Sequence, residues 1–345
     1  MRAIVITEPG GPEVLQIQEV ADPIPTMNEG RAVERAPSVF HEGERAVQLR
    51  AGVEAVAAQV GRNILPFVPP EFGAFLARQP FVVVASQDQV GRVWASLIFG
   101  GTGFARALDE SHLILDALPA PGDPLHASLQ RPGARLGVLG IEFDTRTRIR
   151  VNGVAQRRPN GILLSVTEAF GNCPKFIQRR LPTTALAAAS AQAGRDTAAL
   201  DPGQAALARH ADTFFIATAH PQRGADASHR GGRPGFVEVS DEGRRLTFPD
   251  YSGNRMFQTL GNLAVNPHAG LLFLDWASGA ALQVTGTARV VWDEDAVAAR
   301  PGAERLVEFA VDAVHEQPAA LPARYKLIEP HRLNPPINRR EATDK

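Results

Sequence analysis

The sequence predicts a mainly β protein with flanking helices, built from two tandem copies of one small β domain. Short apolar or β-branched runs, separated by turn-forming residues, fill two blocks of the chain. The 345 residues include 31 glycines and 27 prolines, which is typical of a protein with many turns. The order and spacing of the motifs in the first block recur in the second, and such a repeat predicts a duplicated domain.

The part of the chain that precedes the first block contains a hairpin pattern and then helical patterns. Residues 1–25 form a leader, in which two short strands flank a Pro-Gly-Gly turn. Residues 26–79 are predicted to be a helical segment. Within it, apolar residues with helical spacing favour one helix over 41–62, and a short second helix follows over 71–78.

The two strand-rich blocks are separated by an alanine-rich linker. Residues 80–180 contain six short apolar runs, which predict an antiparallel barrel or sandwich. Residues 181–208 are predicted to be a helical linker, with a helix, a break and a second helix. Residues 209–330 return to the strand pattern and include a last strand near Tyr325, which we expect to finish the second barrel. Residues 331–345 form a tail.

The repeat is visible in matching residues of the two blocks. Ser96 corresponds to Ser228 with an offset of 132 residues, and Gly153 corresponds to Gly286 with an offset of 133. Order and spacing hold over roughly eighty residues with about one insertion or deletion, as expected of a tandem duplication.

The composition excludes several classes of function. The formal net charge is −1, without the basic surplus of a dedicated nucleic-acid-binding protein. The single Cys173 excludes an intramolecular disulfide and a cysteine-based metal cage, and no second histidine lies one helical turn after His41, so we predict no metal site. No apolar stretch is long enough to span a membrane. We therefore expect a cytoplasmic protein that binds neither nucleic acid nor membranes.

Three segments resemble known families. Residues 243–293 resemble the FMN-binding split-barrel family of pyridoxamine 5′-phosphate oxidase: a polar loop opens a short helix, Asn-Pro precedes an apolar strand, and a Gln-Val-x-Gly strand follows. The run GNCPKFIQRR (171–180) is similar to the signature of a subgroup with two fused barrels. Together this resemblance covers about residues 40–330. Residues 1–25 resemble the N-terminus of quinone oxidoreductases of the medium-chain dehydrogenase/reductase family.

The resemblance implies two tandem FMN-binding split β-barrels and an FMN-dependent oxidoreductase that transfers a hydride or electrons through flavin N5, with a small molecule of unknown identity as its substrate. In this family FMN lies in a groove between two barrels, which a two-barrel chain can form internally; a homodimer is also compatible with it. The first copy has Pro121–Pro124 in place of the polar loop, and Asp123 there would repel a phosphate. We therefore predict one FMN per chain, with its phosphate on the second barrel.

The family pattern also implies a set of cofactor-binding residues. The loop 252–259 offers a guanidinium, a hydroxyl and a helix N-terminus to the phosphate, and the strand segment 228–230 carries phosphate and ring contacts. The candidates for contact with the isoalloxazine ring are Gln283 on its strand, Trp276 at the end of the preceding strand, and Lys175 of the first half. The predicted set is Ser228, His229, Arg230, Asn254, Arg255, Met256, Thr259, Gln283, Trp276 and Lys175. No catalytic residue is assigned.

Each of these residues also has an ordinary structural interpretation. The loop can be a capped helix start, residues 229 and 230 can be solvated turn residues, and Gln283 can lie on a solvated face. Lys175 can belong to a turn that seats a buried thiol, and Trp276 can serve packing alone. Arg146, Arg148 and Arg150 alternate along a strand; they form either an anion-attracting rim or a solvated barrel face, and we favour the solvated face.

The sequence leaves two alternative functions open. The first is a flavin- or haem-binding split-barrel protein without catalytic activity. The second is an NAD(P)H quinone oxidoreductase, which only residues 1–25 suggest and which requires a doubly wound parallel sheet.

Overall fold

Antiparallel strands dominate the part of the chain that the structure describes. The computed structural model describes residues 2–6, 15–19, 38–185, 194–318, 320–321 and 323–337. The chain divides into two units, Met1–Ser38 and Val39–Lys345. In the first unit, β1 (Arg2–Ile6) and β2 (Leu15–Glu19) pair in antiparallel orientation, which agrees with the two strands predicted there.

Helices flank the sheets of the second unit. The helices are α1 (Glu42–Arg50), α2 (Glu54–Gly61), α3 (Pro70–Ala77), α4 (Leu125–Ser128), α5 (Pro202–His210), α6 (Gln258–Val265) and α7 (Glu294–Ala298). The single helix predicted over 41–62 is two helices, because the chain turns at Gly52 with a φ of +66°. None of the helices in the described ranges is long and apolar enough to cross a membrane.

The first barrel is a seven-stranded sheet with the order β4-β3-β7-β8-β9-β6-β5. Its strands are β3 (Phe81–Gln87), β4 (Val93–Phe99), β5 (Ala105–Asp109), β6 (His112–Leu115), β7 (Arg135–Glu142), β8 (Thr147–Arg158) and β9 (Gly161–Gly171). Leucine, isoleucine and valine side chains of these strands form its core, together with Phe75 and Leu76 of α3.

The second barrel repeats this order as β13-β12-β16-β17-β18-β15-β14, and β11 also pairs with β18. Its strands are β11 (Arg195–Thr197), β12 (Thr213–His220), β13 (Gly224–Gly231), β14 (Glu238–Val239), β15 (Arg245–Tyr251), β16 (His268–Leu274), β17 (Ala281–Val291) and β18 (Ala303–Gln317). The long strand β18 was not predicted, because its alternating charged residues hide its apolar face.

The two sheets are copies of one another in register as well as in order. The pairing of β8 with β9 shifts register between Asn152 and Gly153, and that of β17 with β18 shifts between Thr285 and Gly286. A Cβ at Gly153 would lie 2.2 Å from the carbonyl oxygen of Ser165, and one at Gly286 would lie 1.9 Å from that of Ala310. Both bulges therefore require glycine, and the tandem split-barrel prediction is confirmed.

The two barrels pack face to face around a shared core. Phe81, Val83 and Leu97 of the first barrel lie in one apolar cluster with Phe215 and Leu272 of the second.

The contact between the barrels follows an approximate twofold relation. Gly137 lies against the backbone of Ala225 and Asp226, while its equivalent Gly270 lies against Val93 and Trp94. In both places the missing side chain lets a strand of the other barrel approach closely.

The linker and the last strand differ from the prediction. The chain begins the linker as a strand, β10 (Arg179–Ala185), which pairs with β19 (Ala323–Glu329) in a separate ribbon. The prediction of a helix from residue 181 is therefore wrong as far as Ala185. The rest of that helix, over residues 186–193, lies outside the described residues. The second predicted helix corresponds to α5. The strand at Tyr325 does not finish the second barrel, because β18 already lies between β15 and β17.

Candidate functional site

A cleft between the two barrels holds most of the predicted site residues. We call it cleft A; it consists of two adjoining hollows. The α6 hollow is lined by Arg150, Ser228, Arg230, Asp250, Tyr251, Gly253, Asn254, Arg255, Phe257, Gln258, Thr259 and Leu260. The His229 hollow is lined by Arg148, Lys175, Phe176, His229, Arg230, Gly231, Phe236, Pro249, Asp250, Tyr251 and Gly253.

Strand alternation and the barrel contact explain this assembly. Successive side chains of β13 point to opposite faces, so Ser228 lines one hollow and His229 the other. Strand β8 of the first barrel contributes Arg148 and Arg150, and the segment after β9 contributes Lys175. Cleft A is therefore built by both halves of one chain.

The first turn of α6 opens into the α6 hollow. Arg255 and Phe257 both have a φ of +65°, which non-glycine residues rarely adopt. Phe257 is the N-cap of α6 and caps it with no side-chain hydrogen bond. Because the first backbone N–H groups of a helix lack partners within it, this end of α6 offers donors and a positive dipole to an anion. The Thr259 hydroxyl, beside these groups, donates to Ser228 Oγ at 2.9 Å.

Ion pairs hold several cations of cleft A in place. Arg150 Nη1 of the first barrel lies 3.0 Å from Asp226 Oδ2 of the second, and both side chains are buried. Arg255 pairs with Glu304 at 2.7 Å. Cations outnumber carboxylates in and around the cleft. The cations are Arg148, Arg150, Lys175, Arg230, Arg255 and Arg305, and the carboxylates are Asp226, Asp250 and Glu304.

Some polar atoms in the cleft or beside it are buried without a hydrogen-bond partner in the described part of the chain. They are Arg148 Nε, Arg150 Nε, Asn172 Nδ2 and His229 Nε2. Burial, followed by the charge of Arg150, lowers the pKa of Arg148 to about 9. Burial also lowers the pKa of Arg230, although Asp250 opposes this. An anionic ligand accepts hydrogen bonds from such buried donors and balances the excess positive charge.

The structure brings seven of the ten predicted site residues to the walls of cleft A. These are Ser228, His229, Arg230, Asn254, Arg255, Thr259 and Lys175. Asn254 also links the two barrels, because its Nδ2 donates to Asn172 Oδ1 at 2.7 Å. Their roles toward a cofactor remain predictions.

The other three predicted residues lie away from the walls of the two hollows. Met256 is buried in a small cluster with Phe40 and Phe170. Trp276 packs edge to face on Phe143, and its ring centroid lies 4.6 Å from the guanidinium carbon of Arg180. These contacts fit its packing interpretation.

Gln283 is buried rather than on a solvated face, and its side chain joins the two barrels. Its Nε2 donates to the backbone oxygen of Ala95 at 2.9 Å and to Ser96 Oγ at 3.0 Å. The expected approach of Gln283 to the cofactor groove therefore does not occur at cleft A.

Two functional candidates were misjudged from the sequence. Arg148 and Arg150 were expected on a solvated barrel face, but Arg150 is only 4% exposed and Arg148 is half-buried in the cleft. Their alternation along β8 was the available signal; what it could not reveal is that this face of β8 lies against the second barrel. Arg146 does not belong with them, because it lies in the preceding turn and donates to the backbone oxygen of Ile177.

One group of possible metal ligands occurs in the described ranges, His41, Glu42 and His220. His41 Nδ1 accepts from the backbone N–H of Gly43, and His220 Nδ1 accepts from those of Gln222 and Arg223. Each neutral ring then carries its proton on Nε2, the nitrogen that would have to bind the metal. The group is better described as a hydrogen-bonded cluster, in which the His220 Nε2–H donates to Glu42.

Comparisons with known proteins point to one family for the second barrel. Residues 200–331 match the family model described as "Pyridoxamine 5'-phosphate oxidase". No curated protein matches the chain.

Several solved structures are similar to parts of the chain. One is a candidate pyridoxamine 5′-phosphate oxidase from Lactobacillus delbrueckii (19% identity, 34% of this chain and 94% of that one, TM-score 0.29). Another is an FAD-binding protein from Mycobacterium smegmatis (17% identity, 36% and 98%, TM-score 0.25). A third is HupZ from Group A Streptococcus (12% identity, 36% and 98%, TM-score 0.29).

The family model covers β12 to β18, and with them strand β13 and the loop 252–259, which together carry seven of the predicted site residues. The resemblance to the pyridoxamine 5′-phosphate oxidase family is thereby confirmed, over residues 200–331 of the second barrel.

Proposed function

We propose that this chain binds FMN in cleft A and acts as an FMN-dependent oxidoreductase. The observation that carries the proposal is the set of buried, unpartnered donors, which includes Arg148 Nε, Arg150 Nε and His229 Nε2, in a cleft with surplus positive charge. A flavin phosphate is a dianion, and its oxygens accept the charge-assisted hydrogen bonds that the arginine donors offer. The family match of the second barrel supports a flavin as the source of that phosphate.

The two hollows of cleft A have different roles in the proposed binding of FMN. In the α6 hollow, Arg150, Arg230 and the N-terminus of α6 provide charge and donors for the phosphate. Asp226 keeps the Arg150 guanidinium in place. In the His229 hollow, Phe176 and Tyr251 provide an apolar wall, with ring centroids 5.1 Å apart. When bound, FMN supplies the hydride or electron transfer, and the protein positions it and tunes its environment.

A visible absorption spectrum of the purified protein tests FMN binding. A yellow protein that releases FMN, identified by chromatography, supports the proposal; a colourless protein that also takes up no added FMN refutes it.

The variant Arg230→Ile sharpens this test. Loss of a charge-assisted hydrogen bond costs about 1.5–3 kcal/mol, so we expect the Kd for FMN to rise by at least about tenfold, as measured by quenching of flavin fluorescence. The matched control is Arg289→Ile. Arg289 is an exposed arginine of β17 outside the cleft, and its replacement should leave the Kd unchanged. Equal weakening by both variants would contradict the assignment of the cleft.

Catalysis is tested separately from binding. Anaerobic reduction of the bound flavin by NADH, NADPH or dithionite, followed by reoxidation with oxygen or a quinone, distinguishes an oxidoreductase from a flavin-binding protein without activity. A tightly bound flavin that no physiological donor reduces favours the non-catalytic alternative, and uptake of haem in place of flavin favours its haem-binding form. The doubly wound quinone oxidoreductase has no structural support, because the strand pairs described between residues 81 and 329 are antiparallel.

A further inference from the structure

His229 is a buried histidine with one ring nitrogen engaged and the other without a partner. The residue is 2% exposed and lies on β13, on the wall of the His229 hollow. Its Nδ1 lies 3.1 Å from Arg148 Nη1, while its Nε2 has no hydrogen-bond partner among the residues that the structure describes. A buried, unpartnered donor costs about 1–3 kcal/mol, so such an atom points to a ligand that satisfies it.

The contact with Arg148 determines where the imidazole proton lies. A guanidinium has no acceptor, so the hydrogen bond runs from Arg148 to Nδ1 and leaves the single proton of the neutral ring on Nε2. Arg148 is itself fixed, because its Nη2 donates to the backbone oxygen of Cys173 at 2.7 Å.

The surroundings of His229 keep the ring uncharged. Burial, followed by the charges of Arg148, Arg230, Arg180 and Arg150, lowers its pKa well below the usual value. The Phe215 ring packs against the imidazole in a T-shaped arrangement, with the two ring centroids 5.9 Å apart. The ring can therefore donate one hydrogen bond without carrying a charge.

We propose that the Nε2–H of His229 donates to an acceptor atom of the isoalloxazine ring of the bound flavin, and that Arg148 is the positioning residue that fixes this tautomer. The inference rests on the proposed function and adds which hollow receives the ring. The chemistry matches, because the pyrimidine edge of the ring carries carbonyl oxygens and ring nitrogens, and the aromatic residues Phe176 and Tyr251 line the same hollow.

Two near-isosteric variants separate the roles of the two ring nitrogens. In His229→Asn, the amide occupies the place of Nδ1, so it can still accept from Arg148 but offers nothing at Nε2. In His229→Gln, the amide occupies the place of Nε2 and retains a donor there. We expect the Asn variant to bind FMN about tenfold more weakly and to shift the visible bands of the bound flavin. The Gln variant should remain within about threefold of the wild type and keep its spectrum.

The control is a second buried histidine of the same barrel. His315 is 4% exposed, its Nε2 likewise has no partner within the described ranges, and it does not line cleft A. His315→Asn should leave the Kd and the spectrum of bound FMN unchanged.

The outcomes are distinguishable. Equal Kd values and spectra for wild type and both His229 variants overturn the inference. A defect in the Gln variant with a normal Asn variant also overturns it, because only the contact with Arg148 would then matter. Failure of the wild type to bind FMN overturns the proposed function itself.

Discussion

Cleft A has a counterpart in the same chain, at the equivalent place on the other side of the barrel pair. We call this place position B. In cleft A, Arg150 of β8 pairs in register with Leu139, and Ser228 of β13 with Ile216. In position B, Gln283 of β17 pairs in register with Leu272, and Ser96 of β4 with Val84. The backbone framework is thus the same in both.

The side chains differ where charge matters. Position B has Ala281 and Gln283 where cleft A has Arg148 and Arg150, and it has Leu97 and Ile98 where cleft A has His229 and Arg230. Only the serine is common to both. The duplicated fold thus supplies two equivalent places, and a few strand positions give them different charges.

Position B is closed by contacts among its own residues. Ser96 Oγ donates to Asp123 Oδ1 at 2.6 Å and also receives the Gln283 Nε2–H. Asp123 is buried, and its Oδ1 accepts the backbone N–H of Leu125 at the start of α4. A carboxylate therefore occupies the place that corresponds to the loop 252–259 of cleft A, for which we propose phosphate binding. The sequence analysis expected this difference from Asp123.

The largest effect is expected when cleft A is converted toward position B at Arg150. The variant Arg150→Gln leaves Asp226 buried without its cation, and breaking a buried ion pair in this way costs about 3–5 kcal/mol. The free energy of unfolding, measured with urea, should fall by that amount.

The double variant Arg150→Gln/Asp226→Asn is the matched control. It removes both charges, so it should recover most of the stability while FMN binding stays weak. If the single and double variants are equally unstable, the pair does not stabilise the contact between the barrels.

A change of pH is expected to have an intermediate effect on the free energy of unfolding. The group responsible lies in α1, which packs against α6. Gly261 of α6 corresponds to Ser128 of α4 and lies against the backbone of Glu44 in α1. The Glu44 side chain is buried beside it and accepts the backbone N–H of His41 at 2.8 Å. Burial raises the pKa of Glu44 to about 8.

The sign of the pH dependence follows from this raised pKa. The native state binds the Glu44 proton more tightly than the unfolded state does, so this contribution is complete below about pH 4.5 and is lost as the pH rises to about 8. Glu44→Gln keeps an acceptor for His41 and cannot ionise. Urea unfolding at several pH values should show a stability decline in the wild type that is reduced in the variant; parallel curves would rule this out.

The comparison also shows which parts of the molecule the sequence could predict. The repeat was visible because a bulge that needs glycine leaves the same residue in both copies, at 153 and 286. The α6 loop and the 228–230 strand segment were found because they are local motifs within a family pattern. These features depend on residues that are close in sequence.

The features that were missed depend on contacts between distant segments. Arg150 and Gln283 occupy equivalent strand positions, yet the sequence led us to expect Arg150 in solvent and Gln283 on the flavin. Which face of β8 or β17 meets the other barrel is determined by packing around Gly137 and Gly270. The pairing of β10 with β19 likewise joins residues more than a hundred positions apart, which no local pattern reports.

The smallest effect is expected at position B itself. We predict one FMN per chain, and that Asp123→Asn leaves this ratio at one, because removal of a repulsive carboxylate does not supply the cations that Ala281, Gln283 and Ile98 fail to provide. Burial raises the pKa of Asp123, so its ionised form is disfavoured in the native state. The variant should therefore be slightly more stable at neutral pH, and this gain should vanish below the usual pKa of an aspartate. Flavin released by acid and measured against protein concentration gives the ratio; two flavins per chain, in wild type or variant, would mean that charge does not decide between the two places.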